Sequence, residues 1–322
     1  MKQKIAVIGP IPKDTIITHR GEHIEKYGCI THPVIALSKI SAGEYEIVPV
    51  ANVRKEDKPH ILGIFEPYEH INTDYIDDHA DQGDVIQLTF VDQNNRLEKQ
   101  TAFMRPIVPN DLKGLMDCAA FLFLPITDFE ISLDTLRYIK ANSSGVIIFD
   151  AHGPTNTLTK TGDRLLKFWI DRDLWLPYID VLKMNLEEST CCWYERGQVA
   201  DIGHTQTHLP KFAAHALSLG VKSVIITVDS SGCLVFTNDS NGDLQQTRVP
   251  SVPVQTVIDT TGCGDSFGGG LAFGLVRNPN DYIGATHYAN TFGAMRTQGK
   301  TFDVFKDRET TEAIIRKTYL TP

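Results

Sequence analysis

The stretch "VIDTTGCGDSFGGG", Val257 to Gly270, carries five glycines and two aspartates. From Gly264 onward, Phe267, Leu271, Phe273 and Leu275 recur at helical spacing, so the glycines before Asp265 open a helix. The first N–H groups of a helix lack intrahelical acceptors, and the helix dipole adds positive potential there. Gly262, Cys263 and Gly264 therefore predict a backbone hole for an anion. Asp265 has two readings, a helix N-terminal carboxylate or a base beside that anion. Gly268, Gly269 and Gly270 each cost a helix about 1 kcal/mol against alanine, which predicts close approach by something bulky.

Two familiar phosphate motifs do not fit. "GCGDSF" begins like the dinucleotide fingerprint, but Phe267 takes the place of its third glycine. "GAMRTQGKT", near the C-terminus, is one residue too long for a P-loop and follows a helix-like run, so it reads as a helix end.

The elements around this turn alternate. "KIAVIG" reads as a buried strand and "PVIALSKI" as a helix; "EIVPVANV" and "HILGIF" read as strands. Residues 66–110 are polar, with "VIQLTFV" and "RLEKQTAF" joined by a "DQNN" hairpin connection, which predicts an antiparallel excursion or lid. Then come "AAFLFLP" (strand), "SLDTLRYIKAN" (helix capped by Ser132), "GVIIFD" (strand) and "DRLLKFWIDR" (helix). "YIDVLKMN" (strand), "TQTHLPKFAAHALSLG" (helix closed by Gly220), and the strands "KSVIITV" and "GCLVF" follow. That rhythm predicts an α/β domain with a mostly parallel sheet covered on both faces. Ligands bind beyond the carboxyl ends of such strands. Asp14, Asp150, His152, Asn185, Glu188 and Asp229 all fall at predicted strand ends.

The bulk numbers agree with a globular domain. The chain has 322 residues, 42% of them hydrophobic, and a formal charge of -9, which argues against a broad nucleic-acid surface. Six cysteines occur without a C-x-x-C pair, which favours small buried thiols over zinc. No apolar run approaches a membrane span, so a cytoplasmic location is expected.

"DTTGCGD" resembles the D-T-x-G-A-G-D signature of the PfkB (ribokinase-like) carbohydrate kinase family, with Cys263 in place of the usual alanine. "DVLKMNLEE" resembles that family's N-x-x-E motif, "VIITVDSSG" its T-x-G-x-x-G segment, and "YANTFGAM" its C-terminal helix. The resemblance implies a single ribokinase-like domain over residues 1–322, with a lid from parts of 14–30 and 66–110. It implies Asp265 as the base, with Gly262, Cys263 and Gly264 holding the transferring phosphoryl group. Asp14, Gly28, His32, Asp150 and His152 would face the acceptor. Thr227, Asp229, Gly232, Asn185 and Asn290 would face ATP. Magnesium would be held through water by Asn185 and Glu188, which otherwise read as plain caps. Asp259 and Thr261 match positions that hold a monovalent cation, K+, in many relatives. Lids of the family often pair between subunits, so by analogy alone the resemblance allows a homodimer.

Besides Cys263, three site positions depart from the family pattern. Asp229 stands where glycine is usual, and His32 and His152 where asparagines are usual. His19 and His23 either line the same pocket or sit exposed on the lid, and exposure is the favoured reading. The expected activity is ATP-dependent phosphorylation of a hydroxyl of a sugar or sugar-like molecule. A nucleoside or sugar-phosphate kinase is the alternative, the phosphosugar needing Arg20, Lys26, Arg96 or Arg105 at the pocket. A regulatory protein that binds sugar or nucleotide without turnover is the other.

Overall fold

The computed structural model describes residues 2–18, 20–91, 96–193 and 206–320, without the side chain of Arg96. His19, the "DQNN" connection at 92–95 and Thr205 at the head of an expected helix lie outside them.

The first seven strands are β1 (Gln3–Ile8), β2 (Lys13–Ile17), β3 (His23–Tyr27), β4 (Tyr45–Asn52), β5 (Ile76–Asp77), β6 (Val85–Phe90) and β7 (Arg96–Ala102). They are followed by β8 (Ala120–Phe123), β9 (Val146–Asp150), β10 (Asn156–Leu158), β11 (Arg164–Leu166) and β12 (Val181–Asn185). The last are β13 (Ser223–Thr227), β14 (Cys233–Asn238) and β15 (Leu244–Val249). Nine strands form the main sheet in the order β15-β14-β13-β12-β9-β8-β1-β4-β5. From β13 to β5 every pairing is parallel; β14 and β15 add an antiparallel edge.

Both faces of this sheet are buried, as unbroken apolar strands require. In β1, Ile5 and Val7 enter one apolar cluster while Ala6 and Ile8 enter the other. The helices Thr31–Ser41 and Cys263–Arg277 belong to the first face, and Leu133–Asn142 and Leu209–Ser218 to the second. Ser132 caps its helix by accepting from the Thr135 N–H at 3.3 Å. Gly220, at φ +109°, lies just beyond the end of its own.

Two expected elements differ. "HILGIF" lies in the helix Lys58–Phe65, because Pro59 sits in its first turn and only Ile61 and Phe65 need burial. "DRLLKFWIDR" is not a helix. Its first half is β11, which pairs antiparallel with β10, and a helix begins only at Arg172. Leu165 and Leu166 stay exposed while Trp169 is buried, a distribution that a single amphipathic helix face does not give.

A second sheet, β3-β2-β6-β7, rises from the main sheet within the segments expected for a lid, starting one residue early at Lys13. Its outer pairs are antiparallel and its central pair, β2 with β6, is parallel. Ile16, Ile86 and Leu88 form its apolar inner face. The chain enters it directly from β1, so Asp14 lies inside β2 and not in a turn after β1. The β10–β11 hairpin fastens the far strand to the core: the Gln100 N–H donates to the Gly162 carbonyl at 2.8 Å.

At the root of this sheet, two carboxyl groups are buried together. Glu130 is fully buried; it accepts from the Ile126 N–H at 2.6 Å and from the Thr127 hydroxyl at 2.8 Å. Asp84 accepts from the Met104 N–H at 2.7 Å and the Gln100 amide at 2.8 Å. Burial pushes Asp84 up to about 6, and burial plus the Asp84 charge pushes Glu130 well above the carboxylate range. A carboxyl raised in the folded state contributes stability that is full below its unfolded value and is lost as pH rises through the folded one. Glu130→Gln removes that loss. Thermal melts are expected to show the variant a few degrees more stable than wild type at pH 8 and no more stable near pH 4; a variant less stable at pH 8 contradicts this.

Candidate active site

The helix Cys263–Arg277 packs against β8 and β9 and starts at Gly262, which has φ +80°. That conformation favours glycine, and a Cβ there would lie 2.4 Å from the His32 ring, so glycine is required twice over. The turn before it is self-held. The Thr261 N–H donates to Asp259 Oδ1 at 2.9 Å, and the Cys263 N–H donates to the Thr260 carbonyl at 3.2 Å. Cys263 is thus committed to the turn and not to an anion, a correction to the three-donor hole. Among the described residues, the N–H groups of Gly262, Gly264 and Asp265 have no protein acceptor.

The glycines further along answer a different demand. A Cβ on Gly269 would meet Pro33, and Cβ atoms on Gly270 and Gly274 would meet the backbone of the helix Tyr282–Arg296 within 2.5 Å. The bulky neighbour is a helix, not a ligand.

A cleft of about 910 Å³ opens at the head of this helix. One end is bounded by Asp14, Ile86, Leu88, Glu98 and Arg164. The other is bounded by Thr227, Asp229, Gly232, Val252, Val257, Asn290 and Ala294. Asp150, His152, Lys183, Asn185, Glu188 and Asp265 lie among its lining, together with Thr261, Gly262, Cys263 and Gly264.

Asp265 sits in the first turn of its helix, where the dipole favours its charge. Burial and the neighbouring Asp150 outweigh this and push it up to about 6, with Lys183 pulling the other way. Lys183, buried in β12, donates to Asp150 Oδ2 at 2.7 Å, and its ammonium lies 3.1 Å from where a Cβ on Gly264 would be. Burial lowers the Lys183 pKa, but Asp150 and Glu188 reverse this and leave it raised, so the side chain is a fixed cation. Asp150 also accepts from the His152 N–H at 3.1 Å.

Asn185 and Glu188 form a capping box. Asn185 Oδ1 accepts from the Glu188 N–H at 2.7 Å, and Glu188 Oε2 accepts from the Asn185 N–H at 2.8 Å. Glu188 Oε1 further takes the Asn185 amide and His152 Nδ1. The carboxylate keeps acceptor capacity on Oε2, enough for a metal-bound water. His152 Nε2 faces Arg164 Nη1 at 3.1 Å, so His152 reaches the cleft as part of a network.

Several expected residues stand elsewhere. His32 does not line the cleft. It is buried behind Gly262 against Phe302, and burial, Arg296 and Lys26 lower its pKa to about 3. The cause is packing: its ring fills the space that Gly262 leaves free. Gly28 is also off the wall; a Cβ there would lie 2.6 Å from Asp14 Oδ2, so it makes room for Asp14. Asn290 lines the cleft while donating to the Pro250 carbonyl at 3.0 Å. Asp229 is exposed at the rim with φ +44°, the left-handed conformation that a glycine takes at no cost. Gly232, at φ +92°, has no room for a Cβ because the Val249 carbonyl would be 2.1 Å away.

Of the basic residues weighed for a phosphosugar, Arg20, Lys26 and Arg105 are not at the cleft wall. Arg105 pairs with Asp111 at 2.8 Å, and Lys26 faces Asp259 at 3.6 Å. Arg164, Glu98 and Lys183 are the cleft residues that sequence reasoning missed. A lysine inside the apolar run "DVLKM" was the available signal for Lys183. Asp259 and Thr261 do not fit a bound monovalent cation, because Arg296 already lies 2.9 Å from Asp259 Oδ2.

Residues 160–302 match the family model described as pfkB family carbohydrate kinase. The likeness to that family is carried by this segment, somewhat less than half of the chain. Mouse ribokinase is 37% identical over 99 residues, which cover 30% of this chain and 29% of that protein. The match thus spans less than a third of the relative's length. The whole chain shares the ribokinase-like fold. It superposes on Arabidopsis thaliana ribokinase, solved with ribose and ATP, with a TM-score of 0.74 and 17% identity over 98% of this chain and 99% of the other. It superposes on a Burkholderia thailandensis nucleoside kinase, solved with inosine, with a TM-score of 0.73 and 16% identity over 98% of each chain.

The raised Asp265 makes a test independent of turnover. Its ionisation costs stability as pH climbs from about 4, its unfolded value, through about 6. Asp265→Asn is expected to melt above wild type from pH 7 upward, with the difference closing below pH 4. A variant that melts lower at pH 7 would show that the carboxylate is a stabilising cap.

Proposed function

We propose that this protein is an ATP-dependent kinase whose acceptor is a hydroxyl of a neutral sugar or sugar-like molecule. The observation that carries the reading is the position of Asp265, in one cleft with unpaired helix N–H groups, the fixed cation Lys183 and two ends of different character.

The acceptor end supports a polyhydroxylated molecule. Asp14 and Glu98 are carboxylates able to take hydroxyl protons as hydrogen bonds, and Arg164 offers donors whose charge Glu98 balances at 3.3 Å. That pairing favours a neutral acceptor over a phosphosugar. The inner face of the small sheet, Ile86 and Leu88, would cover the substrate and exclude water. The same apolar face also suits the base of a nucleoside, which makes nucleosides the second class to test. The opposite end supports a nucleotide donor. Val257 is 59% exposed at its edge, and Val252 and Ala294 line it, an apolar bed that an adenine ring would cover.

In the proposed reaction, the acceptor hydroxyl lies against Asp265 Oδ, which orients it and takes its proton as the new O–P bond forms and the bond to the leaving diphosphate breaks. The N–H groups of Gly262, Gly264 and Asp265, with Lys183, hold the phosphoryl oxygens as charge shifts between them. Asn185 and Glu188 would hold magnesium through water, and the ion would supply charge neutralisation to the ATP phosphates. Thr227, at the end of β13 and in the lining of the same cleft, would face the donor.

A panel of sugars, polyols and nucleosides, assayed for acceptor-dependent ADP release, tests the reading. Turnover is expected with a neutral member of the panel, with kcat falling below a pH near 6 as Asp265 takes up its proton. Asp265→Asn should lower kcat by roughly 10²–10⁴-fold, the usual worth of a general base. Binding without ADP release across the whole panel would favour the regulatory alternative. Arg164→Met is expected to raise KM by more than it lowers kcat; a pure loss of kcat would remove Arg164 from acceptor binding.

A further inference from the structure

Under the phosphoryl-binding turn, the place of an exchangeable ion is taken by a side chain. We propose that the Arg296 guanidinium is a built-in substitute for a monovalent cation at Asp259 and Thr261, so that this turn keeps its shape without K+.

The argument rests on charge and space. Arg296 is the last residue of the helix Tyr282–Arg296, and its side chain is only 1% exposed. One end of its fork lies 2.9 Å from Asp259 Oδ2, and the other donates to the Gly299 carbonyl. A carboxylate and a backbone carbonyl are the oxygens that a hard monovalent cation would bridge; here a planar cation bridges them. Asp259 in turn holds the Thr261 N–H, and through it the turn that ends at Gly262. The Ile258 N–H donates to the Thr297 carbonyl at 2.7 Å, which ties the same segment to the helix end that carries Arg296.

Electrostatics close the place to a further ion. Lys26 Nζ, from β3, lies 3.6 Å from the same Asp259 oxygen. One carboxylate therefore already faces two cations, and a third would meet net repulsion at short range. His32, packed under Gly262, is an uncharged ring that offers no anionic oxygen. An arginine is always charged and its fork is rigid, so it supplies permanently what an ion supplies only when bound.

The test needs no substrate, so it is separable from the kinase reading. Wild-type protein in tetramethylammonium chloride is melted after addition of KCl, NaCl or more tetramethylammonium at matched ionic strength. Crystals soaked in RbCl are searched for anomalous density near Asp259. Equal melting temperatures in the three salts and no rubidium at Asp259 are expected. A K+-specific rise in melting temperature, or a rubidium peak bound by Asp259, overturns the proposal. Arg296→Ala opens the place. That variant is expected to be stabilised by KCl or methylguanidinium over tetramethylammonium and to bind rubidium at Asp259; a folded variant indifferent to all of these also overturns it. If Arg296→Ala does not fold, the wild-type melts and soaks decide alone.

Discussion

The buried ion pair between Lys183 and Asp150, at 2.7 Å, sets the charge on which the cleft depends. Asp14, Glu98, Asp150, Glu188, Asp229 and Asp265 all line it, and a phosphorylated donor would bring more negative charge. Taking an ion from water costs several kcal/mol unless it is paired. Lys183 is paired and still close to Asp265 and the helix start, so its charge serves both. It sits mid-strand in β12, a rigid element, which fixes its distance to the opening turn. Asp265 feels the balance directly: Asp150 raises its pKa and Lys183 lowers it, and burial leaves the net result near 6.

For the proposed phosphoryl transfer a cation alone is not enough; the N–H groups must be held where charge would develop. The glycines achieve this by packing. Gly270 and Gly274 bring the helix Cys263–Arg277 against the helix Tyr282–Arg296 at backbone contact, and Gly269 brings it against Pro33. A helix gripped on two sides has little freedom to tilt. Its first turn is then fastened from behind, by His32 under Gly262 and by Asp259 on Thr261. The helix-destabilising glycines cost local propensity and gain a fixed orientation.

Periodicity made the large sheet legible, because parallel strands buried on both faces write continuous apolar runs such as "IAVI" and "VIIF". It failed where tertiary pairing overrode local pattern. Residues 164–166 are apolar enough for a helix, yet they form a hairpin whose Gly162 carbonyl meets β7, a partner far away in sequence. The turn at the head of the helix Cys263–Arg277 was legible for a related reason: it is written in backbone, as glycines and an aspartate in one contiguous string. The opposite end of the cleft is assembled from β2, β7 and β11, so Glu98 and Arg164 gave no local signal. His32 misled because it lies next to the right strand end but turns behind the turn it supports.

His152 shows how the separated parts are joined. Arg164 can only donate, so His152 Nε2 accepts from it, and the imidazole proton belongs on Nδ1, which donates to Glu188 Oε1 at 2.8 Å. Glu188 in turn caps the helix that begins beyond Asn185. One continuous path of polar contacts therefore runs from the hairpin that fastens the small sheet, through the imidazole, to the capping box at the end of β12. An asparagine, with its shorter reach, could not bridge Arg164 and Glu188 in this way. The histidine is thus better understood through the hairpin it is bonded to than through direct contact with an acceptor, because both of its ring nitrogens are already engaged by protein.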